Sequence, residues 1–508
     1  MAIDSNFLGL DLGTSELKAV IINGVGEVLF QASASVASHY PFPLASEQSP
    51  HDWWIACQTV CQELRKLSSD AMDAIAAVGL SGHMHGATLV DEQGQVLRPC
   101  MMWNDGRSTK QCIELQAAMP EMTTITGNLA MPGFTAPKLM WVRENEPEIF
   151  ARIAKVLLPK DYLRYVLCGN FVSEMSDAAG TLWLDVRSRQ WSDVMLRTTG
   201  LDKSRMPDLV EGNEVSGYLN QSAATALGLR MGIPVAGGAG DNAASAVGLG
   251  ATQPGDAFVS LGTSGVVFSV TAQHQSNTAD AVHAFCHALP DRWHHMAVML
   301  SAASCMRWLN SVTGHAGENL MSNEAAELSD LQQHCAPIFL PYLSGERTPH
   351  NSTEAAGCFI GLRAIHSRSD LTYAVMEGVA FGLLDGLYAM KQAGSSPKEI
   401  QLVGGGARSH FWAQLIADAL NLPVNVSQNA MIGAALGAAR LALLCTEPKD
   451  NSLEAIRKVC SKPETHVNWK PNKQRHQALM SRYELFKQAY LANRALFGAL
   501  SQHIASYQ

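Results

Sequence analysis

The stretch FLGLDLGTSELKAVIINGVGEVLFQASAS, residues 7–35, reads as three strands in a row. Apolar residues run to a Gly-Thr-Ser turn, resume, break at Asn-Gly and Val-Gly, and then alternate with polar ones, which is the pattern of a β-meander. GDAFVSLGTSGVVFSVTA, residues 255–272, repeats the plan: an apolar strand, a Leu-Gly-Thr-Ser-Gly turn and a second apolar strand. The copies align as DLGTS from Asp11 to Ser15 and SLGTSG from Ser260 to Gly265, roughly half a chain apart. An internal duplication of a large unit leaves such a trace.

Between the copies, helical stretches such as DWWIACQTVCQELRKLSSDA and KLMWVRENEPEIFARIAKV alternate with short apolar strands such as AIAAVGLSG and IPVAGGAG, which predicts an α/β architecture. A chain of 508 residues is too long for one ordinary core. Two domains are expected, residues 1–250 and 251–508, divided at the Pro- and Gly-bearing ATQPGD. Past about residue 450 the pattern reads as helical to the end, with NKQRHQALMSRYELFKQAYLANRALF a long amphipathic packing helix.

Composition excludes several classes. A net charge of −9 without a long basic run opposes the footprint of a nucleic-acid binder. No segment offers about 18 uninterrupted apolar residues for a membrane span, and the first residues lack the basic stretch of a secretory leader. Eleven scattered cysteines without a Cys-x-x-Cys pair fit reduced, buried thiols in a cytoplasmic protein. Cys57 and Cys61, four apart, read as one packed helix face.

Each Gly-Thr-Ser turn can present successive N–H groups to an anion, and its small residues permit close approach. One such turn is equally a plain hairpin. Two in matching contexts suit a nucleotide's phosphates held between facing domains. Asp11 beside the first turn could hold a magnesium ion through water. LVGGGARSHFWAQL places three glycines between a strand and a helix, another site of close backbone approach. Neither the dinucleotide-fold glycine spacing nor a P-loop signature occurs.

In PVAGGAGDNAASAVGLG, Asp241 follows a glycine-rich strand end and opens a small-residue helix. It reads either as an N-cap or as an ionised general base for phosphoryl transfer to an alcohol. His83, Met84 and His85 at a strand end, with Trp103, Asn104, Asp105 and Arg107 after a hairpin, suit a sugar subsite: an aromatic face against C–H surface, polar heads against hydroxyls. A buried Trp and a satisfied His would serve equally without a ligand. No carboxylate or thiol joins the two histidines at zinc spacing.

With these residues assembled, the chain resembles the FGGY family of carbohydrate kinases over nearly its whole length, its pentulose kinases in particular. GFTAPKLMWVREN (133–145) and GCFIGLRAIHSRSDLTYAVMEG (357–378) look like the two family signatures. Met84-His85-Gly86, Trp103 to Arg107 and FLPYLSGERTPH (339–350) are similar to the pentulose kinases. The resemblance implies two ribonuclease-H-like domains of the actin-like ATPase type around a cleft. ATP would sit mainly on the second domain and a ketopentose mainly on the first, with closure excluding water. It implies Asp241 as the base and Asp11 on the magnesium side. Met84, His85, Trp103, Asn104 and Asn242 would line the sugar site. Thr14, Ser15, Gly262 and Thr263 would meet phosphates, Gly405, Gly406 and Ser409 would flank the adenosine, and Lys18 is a further approach to the phosphates.

The implied activity is MgATP-dependent phosphorylation of D-xylulose to its 5-phosphate in pentose catabolism, by a cytoplasmic homodimer that binds neither nucleic acid nor membrane. Another ketose or polyol such as ribulose, a catalytically silent sugar-binding regulator, and an actin-like assembly or chaperone ATPase are the alternatives. One departure bears on the sugar: the pentulose kinases commonly carry Gln where this chain has His83.

Overall fold

The computed structural model describes residues 5–314, 317–427, 433–447 and 453–505. Two mixed sheets organise the chain. In the first, strands Asn6–Leu12, Glu16–Asn23 and Val28–Ser35 form the expected meander, and Asn6–Leu12 pairs in parallel with Ile75–Gly82 on its other side. Pro234–Ala236 and the antiparallel Val215–Tyr218 complete that edge. In the second sheet Ala257–Leu261, Gly265–Thr271 and Trp293–Met299 repeat the meander. Ile400–Val403 pairs in parallel with Ala257–Leu261, followed by the parallel Val424–Ser427 and the antiparallel Thr465–Trp469. The two Gly-Thr-Ser turns thus occupy equivalent corners, each joining the central strand of its sheet to the next.

Two local readings change. KLMWVRENEPEIFARIAKV is not one helix: Thr135–Asn145 ends where Pro147 begins Pro147–Arg152, and Lys155–Leu157 is a strand. Proline suits a first helical position and disfavours helix in the residue before it. The region past residue 450 is not helical throughout, since Thr465–Trp469 is an edge strand; THVNW has the β-branched and aromatic residues that fit a pleated surface. The last helix, Lys473–Ala505, is a packing element as expected, burying Leu479, Tyr483, Phe486, Tyr490 and Phe497 in the second core.

Helix Gly433–Thr446 crosses from the second half of the chain to the first sheet. It lies between strands Asn6–Leu12 and Ile75–Gly82 on one side and helix Asp241–Gly248 on the other. Small residues make this possible. A Cβ built on Gly9 would strike Ala435 O, one on Gly79 would strike Ala438 O, and one on Gly437 would strike Ala244 O. Arg440 then donates to the carbonyls of Val247 (3.0 Å) and Gly248 (2.9 Å). A cation there satisfies orphan carbonyls at the negative end of that helix. All eleven cysteines are free, and Cys57 and Cys61 are buried in the first core.

Candidate functional site

Asp241 begins helix Asp241–Gly248, but it does not cap it. Gly240 is the N-cap and Asp241 the first helical residue. Its Oδ1 accepts from the backbone N (2.7 Å) and Nδ2 (2.9 Å) of Asn242. Gly240 N donates to Ser176 Oγ (3.1 Å), and Ser176 in turn donates to Glu174, inside a fully buried group where Lys160 meets Asp161, Glu174 and Asp177. A Cβ on Gly240 would also crowd Met84. The start of the helix is therefore fixed from both sides. Burial first, and the charge of Asp11 second, raise the Asp241 carboxyl to about 6. That outweighs the helix terminus, which favours the ionised form, yet the carboxylate form still predominates at neutral pH.

Two cavities meet at this residue. One, of about 370 Å³, is lined by Asp11, Gly13, Lys18, Asp241, Asn242, Ser245, Ser260, Gly404 and Gly405 among others. Backbone from both halves of the chain borders it, as small residues on the strand-end turns allow. Asp11 lies on Asn6–Leu12; burial raises its pKa, the nearby Ser81 hydroxyl and the charge of Lys18 oppose this, and its buried Oδ1 has no hydrogen-bond partner among the described residues. Lys18, opposite Asp11 in the strand register, pairs with Glu16 (3.2 Å).

The second cavity, of about 210 Å³, is lined by Met84, His85, Trp103, Phe134, Asp241, Asn242, Ser264, His283, Phe285 and Arg347 among others. His85 has φ +70°, an uncommon backbone for a non-glycine residue. Its carbonyl accepts from Lys138 Nζ (2.9 Å) and Thr135 Oγ1 (3.2 Å), and its Nδ1 lies 2.7 Å from Gly180 O. A carbonyl can only accept, so Nδ1 carries the proton. Burial holds the imidazole neutral, lowering it to about 3. Lys138 also donates to Gly133 O (2.7 Å), and burial lowers its ammonium to about 7. Half-exposed Trp103 donates from Nε1 to Thr14 Oγ1 (3.0 Å), tying the first Gly-Thr-Ser turn to this cavity.

The sequence-selected residues therefore divide. Asp11, Met84, His85, Trp103, Asp241, Asn242 and Gly405 line the two cavities. Thr14 reaches Trp103 instead, and Thr263 Oγ1 accepts from Arg307 Nη2 (2.6 Å). Ser15, Gly262, Gly406, Thr14 and Thr263 border neither cavity, although Gly13, Ser260 and Ser264 beside them do. Asn104 is exposed in the turn after Trp103. Ser409 caps helix His410–Leu420, accepting from Trp412 N (3.1 Å), and bonds Ser322. Asp105 and Arg107 form a bidentate pair with each other, and Arg107 also reaches Glu47. His83 is buried, packs edge-on to Trp53 and lines neither cavity. Phe134 and Arg347 lie in stretches quoted for the resemblance but were not singled out as site residues, and His283 lies in none of them; the last two come from the second half of the chain.

Comparison with known proteins follows the same outline. Residues 6–248 match the N-terminal domain of the FGGY family of carbohydrate kinases, and residues 257–445 match its C-terminal domain. The chain is 46% identical over 488 residues to the xylulose kinase of Escherichia coli strain K12, covering 95% of this chain and 98% of that protein. A solved xyloylose kinase from Brucella ovis superposes with a TM-score of 0.92 at 46% identity, covering 97% of this chain and 100% of the other. The xylulose kinase from Rhodospirillum rubrum does so at 0.89 and 28% identity, with coverage of 97% and 100%.

Proposed function

Because the chain belongs to the FGGY family of carbohydrate kinases, we propose that it transfers the γ-phosphoryl group of ATP to the terminal hydroxyl of D-xylulose, giving D-xylulose 5-phosphate in pentose catabolism. The observation that carries this reading is that Asp241 and Asn242 belong to both cavities at once. A reaction between two bound molecules needs its proton acceptor where they meet. Asp241 accepts the hydroxyl proton as the sugar oxygen bonds to the γ-phosphorus and the bond to the ADP oxygen breaks. Asn242, through backbone and side chain, holds the carboxylate in place. His85, Met84 and Trp103 would receive the sugar, while backbone at Gly13, Gly404 and Gly405 would face the phosphates.

Magnesium suits Asp11, whose buried Oδ1 lacks a partner among the described residues. No group of three or more His, Cys, Asp or Glu could cage a metal among the described residues. The ion would therefore take its other ligands from phosphate oxygens and water, and it would neutralise phosphate charge. A cytoplasmic homodimer is the assembly we propose, and no helix of the described residues is long and apolar enough to cross a membrane. Purified protein assayed for ADP release with a panel of ketopentoses and polyols tests the substrate. D-xylulose should give the highest kcat/KM; a larger value for ribulose or a polyol would reassign the acceptor, and no sugar-dependent release would leave a silent sugar binder.

A further inference from the structure

Arg347 is the cation of the smaller cavity, and it comes from the second half of the chain, whereas Met84, His85, Trp103, Asp241 and Asn242 come from the first. No carboxylate lies within ion-pair distance of its guanidinium among the described residues. The adjacent Glu346 turns instead to backbone, accepting from Leu300 N (3.0 Å) and Arg347 N (2.7 Å). A guanidinium cannot shed its charge, and charged side chains away from water are ordinarily paired.

What faces Arg347 is an imidazole with a defined tautomer. Asn128 Nδ2 donates to Thr126 O (2.8 Å) and Ala284 O (2.9 Å), which turns its amide oxygen to His283 Nδ1 at 2.9 Å. His283 Nδ1 is therefore the donor, leaving a lone pair on Nε2, 3.5 Å from Arg347 Nη1. Burial holds this imidazole neutral, so it offers Arg347 an acceptor without a compensating charge. The guanidinium keeps further N–H donors for the cavity beside it.

We propose that Arg347, oriented by the Asn128–His283 pair, is a sugar-contacting residue supplied by the second half of the chain, donating hydrogen bonds to oxygen atoms of the acceptor sugar. The inference rests on the sugar-kinase reading above. It adds that the acceptor is held by residues from both halves, so sugar binding also draws them together. Asn128 already spans the same junction, from Thr126 in the first half to Ala284 in the second.

Steady-state kinetics of Arg347→Met and His283→Phe beside wild type test this. Arg347→Met should raise the KM for the sugar roughly 10- to 100-fold, the span of a charge-assisted hydrogen bond, while the KM for ATP moves less than about threefold. Guanidinium at millimolar concentration should restore part of the lost sugar affinity, a rescue that a purely structural role would not show. His283→Phe retains the charge and loosens its orientation, so a rise of about 3- to 10-fold is expected; it carries the test if Arg347→Met does not fold. Unchanged sugar KM, or an equal loss toward sugar and ATP without rescue, overturns the proposal. Wild-type turnover of sugar in the same assay keeps the kinase reading separate: its absence would remove that reading, whatever the variants did.

Discussion

Asp11 and Asp241 border the same cavity from different elements, and the charge of one raises the pKa of the other. Two carboxylates sharing a poorly solvated space repel, so each resists ionisation while the other is charged. A cation beside Asp11 relieves that repulsion, which links the proposed magnesium position to the readiness of Asp241 as a base.

The pH dependence of kcat/KM follows in sign. Asp241 must be ionised to accept a proton, and its pKa of about 6 puts the acid limb there. Activity should fall as pH drops through about 6. In Asp11→Asn the residual activity should have its acid limb at lower pH, because the neighbouring charge that raises Asp241 is gone. A limb that moves upward, or not at all, contradicts the coupling.

Glu346 allows a test of stability. Burial raises its carboxyl to about 8, against hydrogen bonds from Arg347 and Leu300 that lower it. A carboxyl raised on folding stabilises the protein while protonated in both states and loses that contribution as pH climbs from about 4.5 toward 8. Glu346→Gln keeps an acceptor for both N–H groups and cannot ionise. Denaturant unfolding should find the variant equal to wild type near pH 5 and about 2 to 4 kcal/mol more stable, relative to that reference, at pH 8. Parallel pH profiles would show that Glu346 does not titrate in this range.

Gly437 tests the crossing helix. Its missing side chain lets Gly433–Thr446 approach Ala244 on the helix that begins with Asp241. Gly437→Val should cost about 3 kcal/mol or more by overpacking, read as a lower urea midpoint, with activity lost in the folded fraction as Asp241 shifts. A midpoint and rate within error of wild type would mean that the two helices part without consequence.

Sequence and structure agree where the signal is local. The two meanders are legible because turn residues at Gly13 to Ser15 and Gly262 to Ser264 interrupt apolar runs, a short-range effect. Asp241 stands out because it follows a glycine-rich strand end and opens a small-residue helix, though only tertiary structure shows Gly240 to be the cap. Arg347 lies in FLPYLSGERTPH, quoted for the resemblance, but nothing local marks it as a cavity residue, and His283 gives no sign at all. His283 reaches the cavity through contacts with Asn128 and Phe134, more than a hundred residues away in sequence, and Arg347 meets it there. Likewise Gly433–Thr446 was not read from the sequence at all, and only Gly9, Gly79 and Ala244 show what its alanines and glycines pack against. Thr465–Trp469 was hidden for the same reason: an edge strand of five residues is decided by its partner Val424–Ser427, not by its own periodicity.

The account rests on Asp241 as the proton acceptor between two bound molecules, and single-turnover phosphorylation of D-xylulose by Asp241→Asn measures that most directly. With ATP and sugar both bound, as separate equilibrium titrations would establish, the rate of phosphoryl transfer should fall by roughly 100- to 10,000-fold, the range of a lost general base. Transfer at a rate near that of the wild type, with both ligands bound, would contradict it.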